Sequence, residues 1–350
     1  MISFSRHTCY EDEIFSMYEN LKDRYTVYTM TAESSEYPMP TDANNVLVNV
    51  PKDPRPSKGT FNIIEIHKMM KALRRLDFSV VFFEIIHPWN YPIVLYCKAK
   101  GIPVAHGIND VIPHEGDPNE KINSLVNNLT ASFSDRIIVR SQDSLEKAYI
   151  RYPKYTSKLR RVDLWFSFPG YCKPRGRNVL FFGRINKYKG IGKLIEVIKL
   201  TPEIEYVIAG QPDETVDEEM KILRNLPNAT IDDRRIPYNE MHDYFYNSCC
   251  VILPYETATQ SGVIVDAYKH SRPVVAFNVG ALGEEIEDGL TGYLVESGGV
   301  DEMSKSIRKI VELPDENLEN FCRNAYEYGI QHFSASSKEN DFLEAILINR

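Results

Sequence analysis

Two short stretches gather the residues that could do chemistry. The first is Gly183-Arg184-Ile185-Asn186-Lys187-Tyr188-Lys189-Gly190, set between the apolar run Asn178–Phe182 and a helical pattern over 192–199. Its glycine spacing fits neither a Walker A loop nor a GxGxxG fingerprint. It offers instead the guanidinium of Arg184 and the ammonium groups of Lys187 and Lys189 beside a helix start. Fixed cations of this kind can neutralise a departing diphosphate without a metal. The second stretch is Thr259-Gln260-Ser261-Gly262-Val263. It follows the apolar run 251–253, closed by Pro254, and opens a helical pattern carried by Val263, Ile264, Ala267 and Tyr268. The unpaired N–H groups of such a helix start point outward with the positive end of the dipole, so the spot suits a phosphate.

The elements that must position these stretches follow from periodicity. Strand-like runs fall at 25–30, 46–50, 79–86, 134–140, 178–182, 204–209, 229–232, 251–253 and 273–277, and another begins at Pro103. Helical patterns fall at 11–23, 61–76, 92–100, 143–149, 192–199, 217–224, 240–247, 300–313, 316–329 and 337–348. Alternation of the two predicts an α/β fold with doubly wound parallel sheets. A length of 350 residues predicts two domains. Residues 170–177 (GYCKPRGR) lack periodicity and read as the linker, between a domain over 1–169 and one over 178–334.

Composition narrows the class. With 43% hydrophobic and 26% charged residues, the chain can build large cores. No apolar run approaches the roughly 20 residues that span a bilayer, and the opening MISFSR has no signal-peptide apolar region. The expected location is cytoplasmic, including a peripheral position on the inner face of the membrane. The six cysteines show no CxxC pair and read as buried free thiols. Net charge is −8 and uneven: residues 1–170 hold 21 Lys+Arg and 20 Asp+Glu, the remainder 20 and 29. That acidity argues against nucleic acid as a partner of the second half. The first half carries two basic runs: Lys68, Lys71, Arg74 and Arg75, and then Arg151, Lys154, Lys158, Arg160 and Arg161. A basic amphipathic face can sit on an anionic membrane; a solvated helix packed on a sheet gives the same pattern.

The string around the second stretch is more specific. It holds Pro254, the Ser261-Gly262 helix start, Asp266 within the helix, Arg272-Pro273-Val274-Val275-Ala276, Gly280, Glu284 or Glu285, and Asp288-Gly289-Leu290-Thr291-Gly292. Together these resemble the donor-binding segment of family 4 glycosyltransferases, in the branch with a TQSGV turn. The resemblance is strong over about 178–295, looser over 79–168, and poor over the first 60 residues. It implies the GT-B architecture: two Rossmann-like domains facing a central cleft, with a last helix over 335–350 returning to the first. It also implies retaining transfer from a nucleotide-diphosphate sugar to a glycan or lipid-linked oligosaccharide, in cell-surface polysaccharide synthesis. The UDP- or GDP-sugar would be a co-substrate, and no cofactor is implied.

The same resemblance assigns roles. Arg184 and Lys189 would grip the donor diphosphate, with the Ser261, Gly262 and Val263 amides. Gly183 and Gly210 would line the nucleotide pocket, and Ile236 would cover the base. The family's two Glu, eight residues apart, fall on Ala258 and Asp266. Asp266 would hold the ribose. Ala258 has no side-chain acceptor, so sugar contacts would pass to Thr259, Gln260 or Ser261. In the first domain, Asn109-Asp110 stands where the family has His-Asp, and Pro113-His114 matches the next part. Asn109, Asp110 and His114 would face the acceptor, with His114 able to move a proton. Glu84 and His87 either face the cleft or pack at a strand end, and His106 reads as a core residue. No DxD ends a strand and no His/Cys cluster occurs, so no metal is expected. Ala258 and Asn109 favour a rival expectation: a degenerate relative that binds glycan or scaffolds an active transferase.

Overall fold

Short runs rich in Val, Ile and Phe, bounded by polar turns, build two parallel sheets. The computed structural model describes residues 1–350 except 6–7, 35, 52–57, 113–119, 259–260 and 348–350. The chain divides into two compact units, residues 1–167 with 333–350, and residues 168–332.

The first unit contains, in chain order, β1 (Ile2–Ser3), α1 (Thr8–Leu21), β2 (Thr29–Ala32), β3 (Asn45–Val48), α2 (Ile63–Leu73), β4 (Val81–Phe83) and α3 (Asn90–Lys100). Then follow β5 (Val104–Gly107), α4 (Glu120–Phe133), β6 (Arg136–Val139), α5 (Gln142–Arg151) and β7 (Leu159–Arg161). Among the described residues these strands form one sheet in the order β3-β2-β1-β4-β5-β6-β7, with all pairs parallel. Right-handed crossovers place α2 to α5 on one face and α1 on the other. Each face has its own core. Met69, Met70, Leu73, Ile93 and Val94 pack on one side. On the other, Met17 and Leu21 of α1 pack with Phe342, Ala345 and Ile346 of the last helix (Ala335–Ile346).

The second unit continues with β8 (Asn178–Phe182), α6 (Ile191–Leu200), β9 (Tyr206–Ala209), α7 (Asp217–Leu223), β10 (Ala229–Asp232), α8 (Tyr238–Tyr246) and β11 (Ser248–Leu253). It is completed by α9 (Gly262–Lys269), β12 (Val274–Phe277), α10 (Leu282–Glu285), β13 (Gly292–Val295), α11 (Val300–Val311) and α12 (Asp315–Phe333); the last helix of the first unit is then α13. Its sheet runs β10-β9-β8-β11-β12-β13. Every residue of β11 and β12 is buried, as expected for parallel strands covered on both faces.

Three boundaries differ from the sequence reading. Residues 170–177 are not a free linker. Cys172 N donates to Ser271 Oγ at 2.9 Å, and Arg177 Nη1 donates to the carbonyls of Val311 (2.9 Å) and Leu313 (2.8 Å), so the segment belongs to the second unit. Cys249 and Cys250 lie inside β11 rather than beside a strand. Helices α4 and α10 and strands β1, β7 and β13 have no counterpart among the periodic segments.

Candidate functional site

In the second unit the strand order reverses between β8 and β11. Open α/β sheets bind ligands at such a switch point, beyond the C-terminal ends of the strands. The loops leaving these two strands meet there. Gly190 has φ +71°, and a Cβ on it would stand 1.7 Å from Pro254 O. Only glycine allows that approach. Glu256 N donates to Tyr188 O at 2.9 Å and fixes the same contact.

Lys189 is thereby folded inward, with only 8% of its surface exposed. Its Nζ lies 5.1 Å from the Tyr255 ring centre. It would also stand 3.1 Å from a Cβ on Gly183, a point that Val263 Cγ2 approaches to 3.5 Å. Gly183, Lys189, Tyr255 and the first turn of α9 thus converge, although they are distant in sequence. Arg184 is exposed beside them. Burial, reinforced by the Arg184 charge, pulls the Lys189 ammonium down to about 7. Two cations held together, with no acidic partner between them among the described residues, form a place for an anion.

The polar atoms around this point are unspent. Ser261 is the N-cap of α9, yet its side chain makes no capping bond. Among the described residues its Oγ, the Tyr255 hydroxyl and Asn186 Oδ1 are buried without a hydrogen-bond partner. The Tyr255 hydroxyl lies near the Ser261 side chain, short of hydrogen-bond geometry, and burial pushes it above the ordinary phenol range. The Gly262 and Val263 amides lie in the first turn of α9, where no intrahelical acceptor exists. Buried polar groups left open in this way cost stability unless something occupies the site.

The neighbouring loops extend the surface. A Cβ on Gly210 would meet Gly183 O at 1.9 Å, so the β9 loop presses on the β8 loop. Ile185 N donates to Gln211 O (2.9 Å) and Asp213 N to Ile185 O (3.0 Å). Half-buried Ile236 lies in the loop before α8. Half-buried Asp266 is one turn before Lys269, whose Nζ donates to Tyr238 Oη at 3.2 Å, tying the helix of Asp266 to the loop of Ile236. Ala258 is buried and its carbonyl accepts from Ala281 N at 3.4 Å. Thr259, Gln260 and His114 lie outside the described residues. Sequence reasoning passed over Tyr255 and Asn186. Tyr255 follows the strand-ending Pro254, and Asn186 lies inside the cationic stretch.

The first unit places Asn109 and Asp110 just past β5. Asn109 lies beside Tyr10, and Asp110 O accepts from Asn127 Nδ2 at 2.8 Å. Glu84 and His87 are strand-end packing. Arg140 pairs with Glu84 and, at 2.8 Å, with Glu13, while its guanidinium lies 4.5 Å from the Trp165 ring centre. Burial pushes both carboxyls up. His87 Nδ1 accepts from Trp89 N at 3.1 Å, and burial pulls its imidazole down to about 4. His106 stacks on Phe83, with ring centres 4.4 Å apart, and bonds Ser134 Oγ at 2.9 Å. It is a core residue, pulled by burial to about 3. Among the described residues, no three His, Cys, Asp or Glu side chains are grouped to hold a metal.

The loops at 183–190, 210–213 and 254–263 all lie within the segment that matches a known family. Residues 172–328 match Glycosyl transferases group 1. The fold is that of the GT-B glycosyltransferases. Over 98% of this chain and 97% of the other, it superimposes on Anabaena Alr3699/HepE, solved in complex with UDP and glucose, with a TM-score of 0.71 at 16% identity. Sucrose-phosphate synthase from Thermosynechococcus elongatus gives 0.71 at 15% identity, covering 94% and 90% of the two chains. Among curated relatives, an uncharacterized 41.2 kDa protein in the cps region of Klebsiella pneumoniae is 29% identical over 176 residues, 48% of this chain and 45% of its own. An uncharacterized glycosyltransferase of Methanocaldococcus jannaschii, MJ1178, is 25% identical over 71% of this chain and 84% of its own. The chain spans about half the length of the first curated relatives it matches.

Proposed function

We propose that this GT-B protein is a retaining glycosyltransferase that moves a hexose from a nucleotide-diphosphate sugar to a hydroxyl of a glycan or lipid-linked oligosaccharide. The observation that carries the reading is the convergence of buried Lys189, exposed Arg184 and the open first turn of α9 at the switch point of the second sheet. That arrangement suits a diphosphate, and no side chain supplies a counter-anion for Lys189 among its described contacts. Asp266 is assigned to the ribose and Ile236 to the base. The polysaccharide setting draws support from the cps-region relative, and UDP as the nucleotide from the Anabaena complex.

In the proposed step the acceptor oxygen bonds to the anomeric carbon as the bond from that carbon to the phosphate oxygen breaks. The acceptor proton passes to the leaving phosphate oxygen on the same face. Arg184, a protonated Lys189 and the Gly262 and Val263 amides stabilise the charge that develops on the diphosphate, without a metal. Preorganised electrostatics of this kind usually supply the largest catalytic share. The acceptor side is assigned to the first unit, at Asn109 and Asp110.

The test is turnover of a UDP-sugar with wild type and Arg184→Ala. The expected loss is about 100-fold or more, the scale of removing one preorganised donor. A variant turning over at the wild-type rate overturns the assignment. Ala258 keeps one second reading in play, a glycan-binding protein without turnover. That reading gains if UDP binds by calorimetry while no UDP-sugar is hydrolysed or transferred.

A further inference from the structure

Tyr255 is 3% exposed, yet its surroundings are not those of an apolar core. Tyr188 stands edge-on to it, with ring centres 6.5 Å apart and planes at 80°. Its hydroxyl lies near the Ser261 side chain and feels the Glu285 charge from α10. Lys189 Nζ lies over the ring, 5.1 Å from its centre.

The backbone imposes this last contact. The loops that follow β8 and β11 are clipped together at both sides of it. Gly190 presses on Pro254 O, and Glu256 N donates to Tyr188 O at 2.9 Å. Lys189 lies between the clips on one loop and Tyr255 between them on the other. The two residues are therefore held opposite each other, as a facing pair on antiparallel strands would be.

A lysine side chain is long and loses much rotamer freedom when it is fixed. Among the described residues Lys189 Nζ has neither a hydrogen bond nor an ion pair to fix it, and Arg184 on its own loop repels it. The ring offers what remains. The negative face of an aromatic ring attracts a cation, most strongly where water is excluded. We propose that Tyr255 is a positioning residue for the diphosphate site: its ring seats the Lys189 ammonium both before and after a nucleoside diphosphate arrives. The ring takes one side of the ammonium, and the side toward Gly183 and Val263 is left to phosphate oxygens. A ring face holds a cation without neutralising it. A carboxylate in its place would hold the lysine more firmly and cancel the charge that a diphosphate is to meet. The proposal rests on the reading that Lys189 meets the diphosphate, and its test separates the two.

Tyr255→Leu removes the ring and keeps an apolar side chain; Tyr255→Phe keeps the ring and removes the hydroxyl. The other titratable groups around the pair are Arg184, Lys187, Tyr188, Glu256, Asp266 and Glu285, and they are the same in both variants. The first readout needs no nucleotide: the titration of Lys189 in the full chain, followed by NMR of its side-chain nitrogen. Its midpoint should fall by about one pH unit in Tyr255→Leu, because the ammonium loses its seat and the neutral amine loses nothing. It should keep the wild-type position in Tyr255→Phe. The second readout is UDP affinity by calorimetry. Against wild type, Tyr255→Leu should bind about tenfold more weakly at pH 8, above both midpoints, and within about twofold at pH 5, where both proteins hold the proton. Tyr255→Phe should follow the wild-type pH dependence. Circular dichroism checks the fold, and Tyr255→Met replaces a leucine variant that fails to fold. An unmoved Lys189 titration in Tyr255→Leu overturns the proposal, as does an equal loss of UDP affinity at both pH values, the mark of a residue that only fills space. A Tyr255→Phe variant as impaired as Tyr255→Leu also overturns it, since the hydroxyl would then hold the lysine. If the titration moves while Lys189→Met still binds UDP, the ring seats the lysine and the diphosphate assignment falls.

Discussion

At the scale of single residues, Lys189 carries a tension that can be measured. Its ammonium is buried beside Arg184 and held near 7, against an ordinary lysine value of 10.5. The folded state therefore holds fewer protons than the unfolded chain between these two values. The stability lost to this burial is fully present below pH 7 and fades as pH rises toward 10.5. Lys189→Met removes the buried charge and keeps the volume. It should stabilise the unliganded protein by on the order of 3 kcal/mol at pH 6, by chemical denaturation, with the gain shrinking at pH 9. The same variant should abolish UDP binding. In wild type a bound diphosphate would draw the proton back, so UDP affinity should fall from pH 7 to 9 with proton uptake seen as buffer-dependent binding enthalpy. A variant that is less stable at pH 6 and still binds UDP would remove Lys189 from the site.

At the scale of elements, the last helix shows what holds the first unit together. Phe342 of α13 is fully buried, edge-on to Phe82 and tilted against Trp165, each ring pair 5.1 Å apart. Phe342→Ala should cost about 3–5 kcal/mol by urea denaturation, the range for a buried aromatic truncated to a cavity. A loss under about 1 kcal/mol would mean α13 is not part of that core. Much of this architecture was legible in sequence, because α13 and the strands β8 and β12 are regular in period and dense in apolar residues. Helix α4 was not. Its inward stripe of Asn127, Thr130 and Ala131 is polar or small, and its Asn- and Ser-rich composition favours turns, so no core-facing period exists to find. Gly183, Lys189 and Ser261, singled out from sequence by backbone and charge, lie on loops that the structure brings together; their role toward a donor belongs to the proposal. Tyr255 was hidden because nothing local distinguishes a pocket-lining tyrosine from a core one; only the contact of Gly190 with Pro254 brings Lys189 over its ring.

At the scale of the whole molecule, the chain builds two compact units, and its candidate chemistry is lopsided. The groups proposed to hold a diphosphate all belong to residues 168–332. Ligand binding should then act on one unit in particular. At a UDP concentration of a hundred times Kd, binding adds about 2.7 kcal/mol to the state that holds the site. For a unit of this length that corresponds to roughly 5–10 °C in Tm. Scanning calorimetry should resolve two transitions, of which UDP moves one upward. Phe342→Ala supplies the marker, since it should lower the other transition and leave the UDP-sensitive one in place. If UDP instead raised the transition that Phe342→Ala lowers, with the second one stationary, the nucleotide would be bound by the first unit. Lys189, Ser261 and the open turn of α9 would then have lost their ligand.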